Sequence, residues 1–161
     1  MIRIIAFLLI PFCSISQNIT GNVNDINSIL KLHSYNVETP PSYIYHHYNQ
    51  IRVDKNGKLT LVNYRENKKT LAYFDKEIRG YLYLNTISLG ENNDLEEGKY
   101  SVTVNCLNGK SCVIYPETEL VMAYKEKAID FLFDNRDARD KFRVAFSRML
   151  DDVHNKAEFQ K

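Results

Sequence analysis

Cys106 and Cys112 are the residues with the most definite chemistry in this 161-residue chain. They flank Gly109 symmetrically in Tyr100–Tyr115, YSVTVNCLNGKSCVIY. A three-residue loop over Asn108–Lys110 sets Cys106 opposite Cys112 in a hairpin. Cross-strand Cβ atoms about 4.5–5.5 Å apart nearly meet disulfide geometry. A two-residue turn at Asn108-Gly109 instead throws the pair out of register. Redox exchange and a half metal site are the other chemistries open to two cysteines. Neither a Cys-x-x-Cys spacing nor a second cysteine pair is present to support them. The spacing therefore favours a structural cross-strand disulfide.

Other side chains invite chemistry and lack the spacing for it. His46 and His47 are adjacent, and adjacent residues of a strand face opposite sides, so they cannot chelate one ion. His33 and His154 fall in helical stretches, and no His-Glu-x-x-His occurs. Asp54, Asn56 and Gly57 resemble part of a calcium loop. The third acidic ligand is missing, and Arg65 stands where the closing Glu belongs. Glu91, Asp94, Glu96 and Glu97 read as a solvated acidic loop with at most a weak pull on calcium. Gly-x-Ser-x-Gly, Ser-x-x-Lys and phosphate-cradling glycine loops are absent. Carboxylate pairs for glycosidase chemistry need not be close in sequence, and nothing favours one here. The expectation is a chain without catalytic, cofactor-binding or metal-ligating residues.

The start of the chain gives a compartment. Met1-Ile2-Arg3 is a short basic opening, and Ile4–Phe12 follows without a charge. That run is about half the length of a membrane-spanning helix and fits the apolar region of a secretory signal. Ser14-Ile15-Ser16 supplies the small-x-small exit, which predicts residues 1–16 as the signal and cleavage before Gln17. Cys13 follows Ile10-Pro11-Phe12, residues too large for a lipidation motif. The predicted location is periplasmic or extracellular, with no integral membrane segment after processing.

The formal charge is +1, from 21 basic and 20 acidic side chains. Loss of Arg3 with the signal leaves a neutral protein, which gives no electrostatic case for nucleic acid or an anionic membrane. With 11 Tyr, 8 Phe and no Trp, the composition favours half-buried strands.

Three stretches follow the signal. Residues 17–41 form a helical segment and linker: Asp25 is a plausible cap, Ile26, Ile29, Leu30 and His33 share a helical face, and Pro40-Pro41 ends the segment. Residues 42–154 form a β body with a C-terminal helix, and 155–161 a frayed tail. Ile51–Val53 and Leu59–Val62 flank the hairpin turn Asp54–Gly57. Thr70–Phe74, Tyr81–Leu89, the two arms of the cysteine hairpin, Glu119–Tyr124 and Ala128–Phe133 read as further strands. Glu91–Gly98 is a loop between them, and Lys125–Lys127 a charged turn. Asn135 caps a helix over 135–154, with Ala138, Phe142, Ala145, Phe146, Met149 and Val153 on its inner face. Its outer face carries the pairs Arg136/Asp140, Asp137/Lys141 and Arg148/Asp152 at i, i+4.

About seven antiparallel strands closed by a helix resemble the pleckstrin-homology-like superfold, an α+β, β-rich barrel or sandwich. The chain resembles more closely a group of small exported proteins of Bacteroidetes type. The resemblance rests on Ser14–Gln17, the helix around Ile26–Leu32, the Asp54–Gly57 turn, Val102–Tyr115 with its two cysteines, and Ala138–Phe146. It implies a fold and a compartment, and no reaction. Eukaryotic members of the superfold bind inositol phosphates through a basic first hairpin; here Asp54 sits among Arg52, Lys55 and Lys58, so that ligand is not expected. The expected function is a non-enzymatic binding or accessory module for a protein or peptide. The competing expectation is an inhibitor or immunity-type protein acting through Asp54–Gly57 or Glu91–Gly98; a small hydrolase and a ligand binder with a tyrosine-lined pocket are the lesser alternatives.

Overall fold

The computed structural model describes residues 10–39, 43–67, 73–95, 98–117 and 122–158. Pro40-Pro41, Thr70–Ala72, Glu96-Glu97, Glu119–Val121 and the last three residues of the tail lie outside them.

The chain is α+β, with two antiparallel sheets and two helices. Helix α1 spans Ile10–His33. Strands β1 (Asn36–Thr39), β2 (Tyr43–Val53), β3 (Lys58–Asn67) and β4 (Tyr73–Tyr83) follow. Next come β5 (Ile87–Asp94), β6 (Tyr100–Cys106), β7 (Val113–Tyr115), β8 (Tyr124–Glu126) and β9 (Ala128–Phe133). Helix α2 closes the chain over Arg136–Glu158. The larger sheet has the order β1-β2-β3-β4-β7-β8, the smaller β5-β6-β9. They form more strands than the seven expected, and they do not close into one barrel.

The β2–β3 hairpin forms as its turn residues dictate. Asp54 Oδ1 accepts from the Asn56 and Lys58 N–H groups at 2.8 and 3.0 Å, and Gly57 takes the positive φ of 73° that glycine allows. The stretch Tyr81–Leu89 is not one strand. A 3-10 turn at Leu84–Thr86 splits it, sending β4 to one sheet and β5 to the other. Leu84 and Ile87 are both fully buried at this corner, so the bend follows from anchoring two apolar side chains three residues apart. Glu91–Asp94 belong to β5, not to a loop. Lys125 and Glu126 likewise lie in β8 rather than in a turn.

One core joins every layer, including Leu30, Leu61, Leu82, Val104, Phe131 and Phe146. Helix α2 matches its periodicity. Asn135 Oδ1 accepts from the Ala138 N–H at 2.8 Å as the cap, and Ala138, Phe142, Ala145, Phe146 and Met149 are buried. The helix runs past 154 into the segment expected as tail. Of the three expected i, i+4 pairs, Asp137 and Lys141 meet at 2.7 Å. Arg136 instead pairs with Asp94, and Asp152 accepts from Asn22 Nδ2 at 3.1 Å.

Helix α1 corrects the expected start at Asp25. It is continuous from Ile10, within the predicted signal, so Asp25 lies in its interior. Packing of Ile26 and Leu30 into the core outweighs the weak helix propensity of Asn18, Gly21, Asn22 and Asn24. Asn27 fixes the helix to the sheet. Its Nδ2 donates to the Ile51 carbonyl at 3.0 Å, and its Oδ1 accepts from the Ile51 N–H at 2.7 Å. β1 pairs with β2 only over Tyr43–His46, so one amide side chain takes over the edge of β2 further along. Asn27→Ala leaves that partly buried backbone pair unserved, and is expected to lower stability by about 1–2 kcal/mol in urea unfolding.

Candidate functional site

Cys106 and Cys112 stand at disulfide distance, with Sγ atoms 2.06 Å and Cα atoms 5.6 Å apart. Their setting differs from the expected hairpin. Cys106 ends β6 in the smaller sheet, whereas Cys112 precedes β7 in the larger one. The pair is therefore a clasp at the corner between two sheets, not a cross-strand staple. Asn108 and Gly109 both take positive φ, 59° and 65°, and coil Leu107–Gly109 into a 3-10 turn. That compact turn brings the cysteines together without any hairpin ladder.

The backbone around the clasp gathers four strands. The Cys106 N–H donates to the Lys127 carbonyl at 2.8 Å, and the Cys112 N–H to the Glu126 carbonyl at 3.1 Å. Glu126 ends β8, and Lys127 is the link to β9. β8 pairs with β7 in the register Val113 with Glu126, Ile114 with Lys125, Tyr115 with Tyr124. Tyr124 stacks on the buried Tyr115, ring centroids 4.5 Å apart and nearly parallel.

β8 is one of the two outer strands of the larger sheet, and all three of its residues are exposed. Met122, two residues upstream, is 81% exposed. The other edges compare as follows. On β5, Arg143 donates to the Gly90 carbonyl at 2.7 Å, and Arg139 reaches the Asn93 carbonyl. On β9, the Tyr35 N–H donates to the Leu132 carbonyl and the Asp134 N–H to the His33 carbonyl, at 2.9 and 3.0 Å. On β1, the outermost strand at the far end of the larger sheet, no side chain is described. Backbone groups on a free edge are a template for another strand.

The remaining candidates separate in space. His46 lies in β2 opposite Asn36 and Tyr64, with His47 next to it. His33 ends α1, its Nδ1 3.1 Å from Asp134 Oδ1 and 3.0 Å from Asn135 Nδ2. His154 belongs to α2. Among the described residues no three His, Cys, Asp or Glu side chains gather as a metal group. The Asp54 turn spends its carboxylate on its own backbone. No helix is long and apolar enough to cross a membrane among the described residues.

The acidic stretch has a use that sequence reasoning missed. Asp94 pairs with Arg136 and Arg139, and Arg139 also reaches Asp140 at 2.9 Å. Burial works against the Arg139 cation. Hydrogen bonds to Asp140 and Asp94, with their charges, outweigh it and hold the guanidinium above its ordinary range. Arg143 completes the contact through Asn92 Oδ1 at 2.9 Å. The spacing Arg136, Arg139, Arg143 on one helical face was the available signal. Opposite it, β5 bulges between Leu89 and Asn92. A Cβ on Gly90 would stand 2.4 Å from Asn105 Nδ2, so only glycine fits that bulge without a shift. These groups bind helix to strand.

No protein family, curated protein or solved structure matches this chain.

Proposed function

We propose that this is an exported, non-enzymatic binding module of pleckstrin-homology-like architecture that docks a protein or peptide by strand addition at β8. The carrying observation is the edge itself: Tyr124–Glu126 are exposed and outermost in their sheet, with Met122 beside them. An added strand takes its affinity from main-chain hydrogen bonds and its selectivity from side-chain pockets. The flat face of Tyr124, backed by Tyr115, suits an apolar side chain on such a peptide, and Met122 adapts its shape to a range of partners. The signal-like start and the cysteine clasp support a periplasmic or extracellular place of work. An inhibitor role has less support. The Leu84 N–H donates to Gly57 and ties down the first candidate loop, and half of the second lies in β5.

Photo-crosslinking in intact cells tests this. A crosslinking residue at Met122 or Lys125 is expected to capture the same partner, and one at Lys55 in the distant hairpin turn to capture none. Absence of any product from the two β8 positions in a folded protein removes the strand-addition reading.

A further inference from the structure

The face of the larger sheet that turns away from the core carries one continuous row. Arg52 stands opposite Thr60, Thr60 opposite Tyr81, Tyr81 opposite Ile114 and Ile114 opposite Lys125, across β2, β3, β4, β7 and β8. Residues paired between antiparallel strands share a face. The neighbours of the row along the strands, among them Leu59, Leu61, Leu82, Val113 and Tyr115, enter the core, so alternation points the row outward. Four strand spacings make it about 19 Å long. Lys58 and Tyr83, paired with each other two residues along from Thr60 and Tyr81, extend the same face. Arg52 and Lys125 are exposed, and so is Tyr83.

Three cations of this face lack acidic partners. Arg52, Lys58 and Lys125 make no ion pair among the described residues. Asp54 is the acid beside Arg52 and Lys58, and its Oδ1 already accepts from two N–H groups of its own turn. Glu126 alternates to the other face of β8, opposite the inward Val113. Between the cations lie neutral polar groups: the Gln50 amide, which accepts from Arg52 at 3.3 Å, the Thr60 hydroxyl and the phenols of Tyr81 and Tyr83. Lys58 Nζ sits over the Tyr81 ring, 4.0 Å from its centroid, and Tyr83 meets that ring edge-on at 6.4 Å. The whole chain carries a formal charge of only +1, so this excess is local.

We propose that this face binds a linear, uronate-bearing polysaccharide laid across the strands. Charge complementarity sets the sign of the ligand, since three cations without ion pairs call for a polyanion. Their spread over about 19 Å calls for an extended one, because a small anion would reach only part of the row. The cations are sparse, and the ground between them is hydroxyl and amide. That pattern suits a polymer whose carboxylates are separated by free hydroxyls. Arg52 can hold a carboxylate by two parallel N–H bonds, while the two lysines act as point charges. Two other polyanions fit less well. Single-stranded nucleic acid stacks its bases on open aromatic rings, and Lys58 already occupies Tyr81. An acidic peptide laid on a sheet face gains none of the main-chain bonds that a sheet edge supplies. The site is built from side chains of the sheet face, and so is distinct from the peptide edge proposed for β8.

The openness of the face sets the strength. Exposed ionic contacts are individually weak and are screened by salt. Affinity must come from several contacts along one polymer, so dissociation is expected in the range of about 10–100 μM at low salt. Fragments too short to span the row are expected to bind more weakly than the polymer.

Calorimetric titration of the protein with polygalacturonate at about 20 mM salt tests the proposal. Binding is expected there and is expected to be largely lost by about 300 mM salt. Arg52→Gln and Lys125→Gln, both at exposed positions, are each expected to weaken it about threefold, and together about tenfold, with circular dichroism unchanged. Lys31→Gln, which removes an exposed cation of α1 outside the row, is expected to leave it unaltered, and neutral dextran is expected not to bind. Absence of polygalacturonate binding at low salt overturns the proposal. So does binding that the double variant retains in full, which would put the polymer on another surface. Oligothymidylate or polyglutamate that binds more tightly than polygalacturonate, and loses its binding in the double variant, overturns the choice of polysaccharide and assigns the face to nucleic acid or to an acidic peptide.

Discussion

Phe142→Ala is expected to cost about 3–5 kcal/mol of stability, the largest effect of any single truncation considered. Phe142 is fully buried on the inner face of α2. Its ring lies 4.7 Å from Phe131, 5.0 Å from Phe133 and 5.3 Å from Phe146, centroid to centroid. Phe131 and Phe133 belong to β9, so the four rings join the helix to the smaller sheet. Rings at these distances and tilts gain beyond the area they bury. Removing the central one leaves a cavity walled by three rigid groups that cannot collapse inward, which puts the cost at the upper end of its class. Val144→Ala, about half a turn away on the exposed face, makes the internal control, since it changes the same helix without opening the core. Urea unfolding of both variants, followed by circular dichroism, checks the difference. Equal midpoints would show that α2 is not held by this cluster.

The same helix shows what was legible in the sequence. A long segment with a strong 3.6-residue period and a capping Asn encodes its structure locally, so Asn135–Val153 could be read directly. The Asp54–Gly57 turn was equally clear, because its chemistry lies within five residues. The failures share a different cause. β4 and β5 run together in sequence as alternating apolar residues, and only their assignment to separate sheets reveals the corner at Leu84–Thr86. β8 looked like a turn because Lys125 and Glu126 are charged, yet charge is what an exposed edge strand carries. The acidic run looked like a loop because the arginines that neutralise Asp94 come from a helix more than forty residues later. Asn27 gave no signal at all: an amide serving as a strand edge can be recognised only once β1 is seen to end early. Strand order, sheet membership and long-range polar contacts were the illegible part, and the β8 edge depends on all three.

Breaking the Cys106–Cys112 pair is expected to lower stability by about 2–3 kcal/mol and to loosen β8 before any other strand. Intact mass without reduction should first read two hydrogens below the thiol form. The magnitude follows from the short closed loop, whose entropy in the unfolded chain is restricted only modestly. The locality follows from the structure. Cys106 and Cys112 donate their N–H groups to Lys127 and Glu126, so the clasp positions the end of β8 as well as the two sheets. β8 has only a three-residue ladder to β7, whereas β6 is held between β5 and β9 along most of its length. Freed of the bond, the corner should open on its weaker side. Ser substitution is a poor probe, because Cys106 is buried among apolar neighbours and a hydroxyl there adds its own penalty. Cys106→Ala with Cys112→Ala separates the bond from polarity. Hydrogen exchange on that double variant is expected to show faster exchange in Val113–Tyr115 and Tyr124–Glu126, with Val102, Val104 and Phe131 still protected. Uniform acceleration across both sheets would mean that the clasp stabilises the whole domain and has no special hold on the β8 edge. The outcome also bears on binding. If strand addition occurs at β8, a reduced protein presents a mobile edge and should bind its partner more weakly, which ties binding to an oxidising compartment.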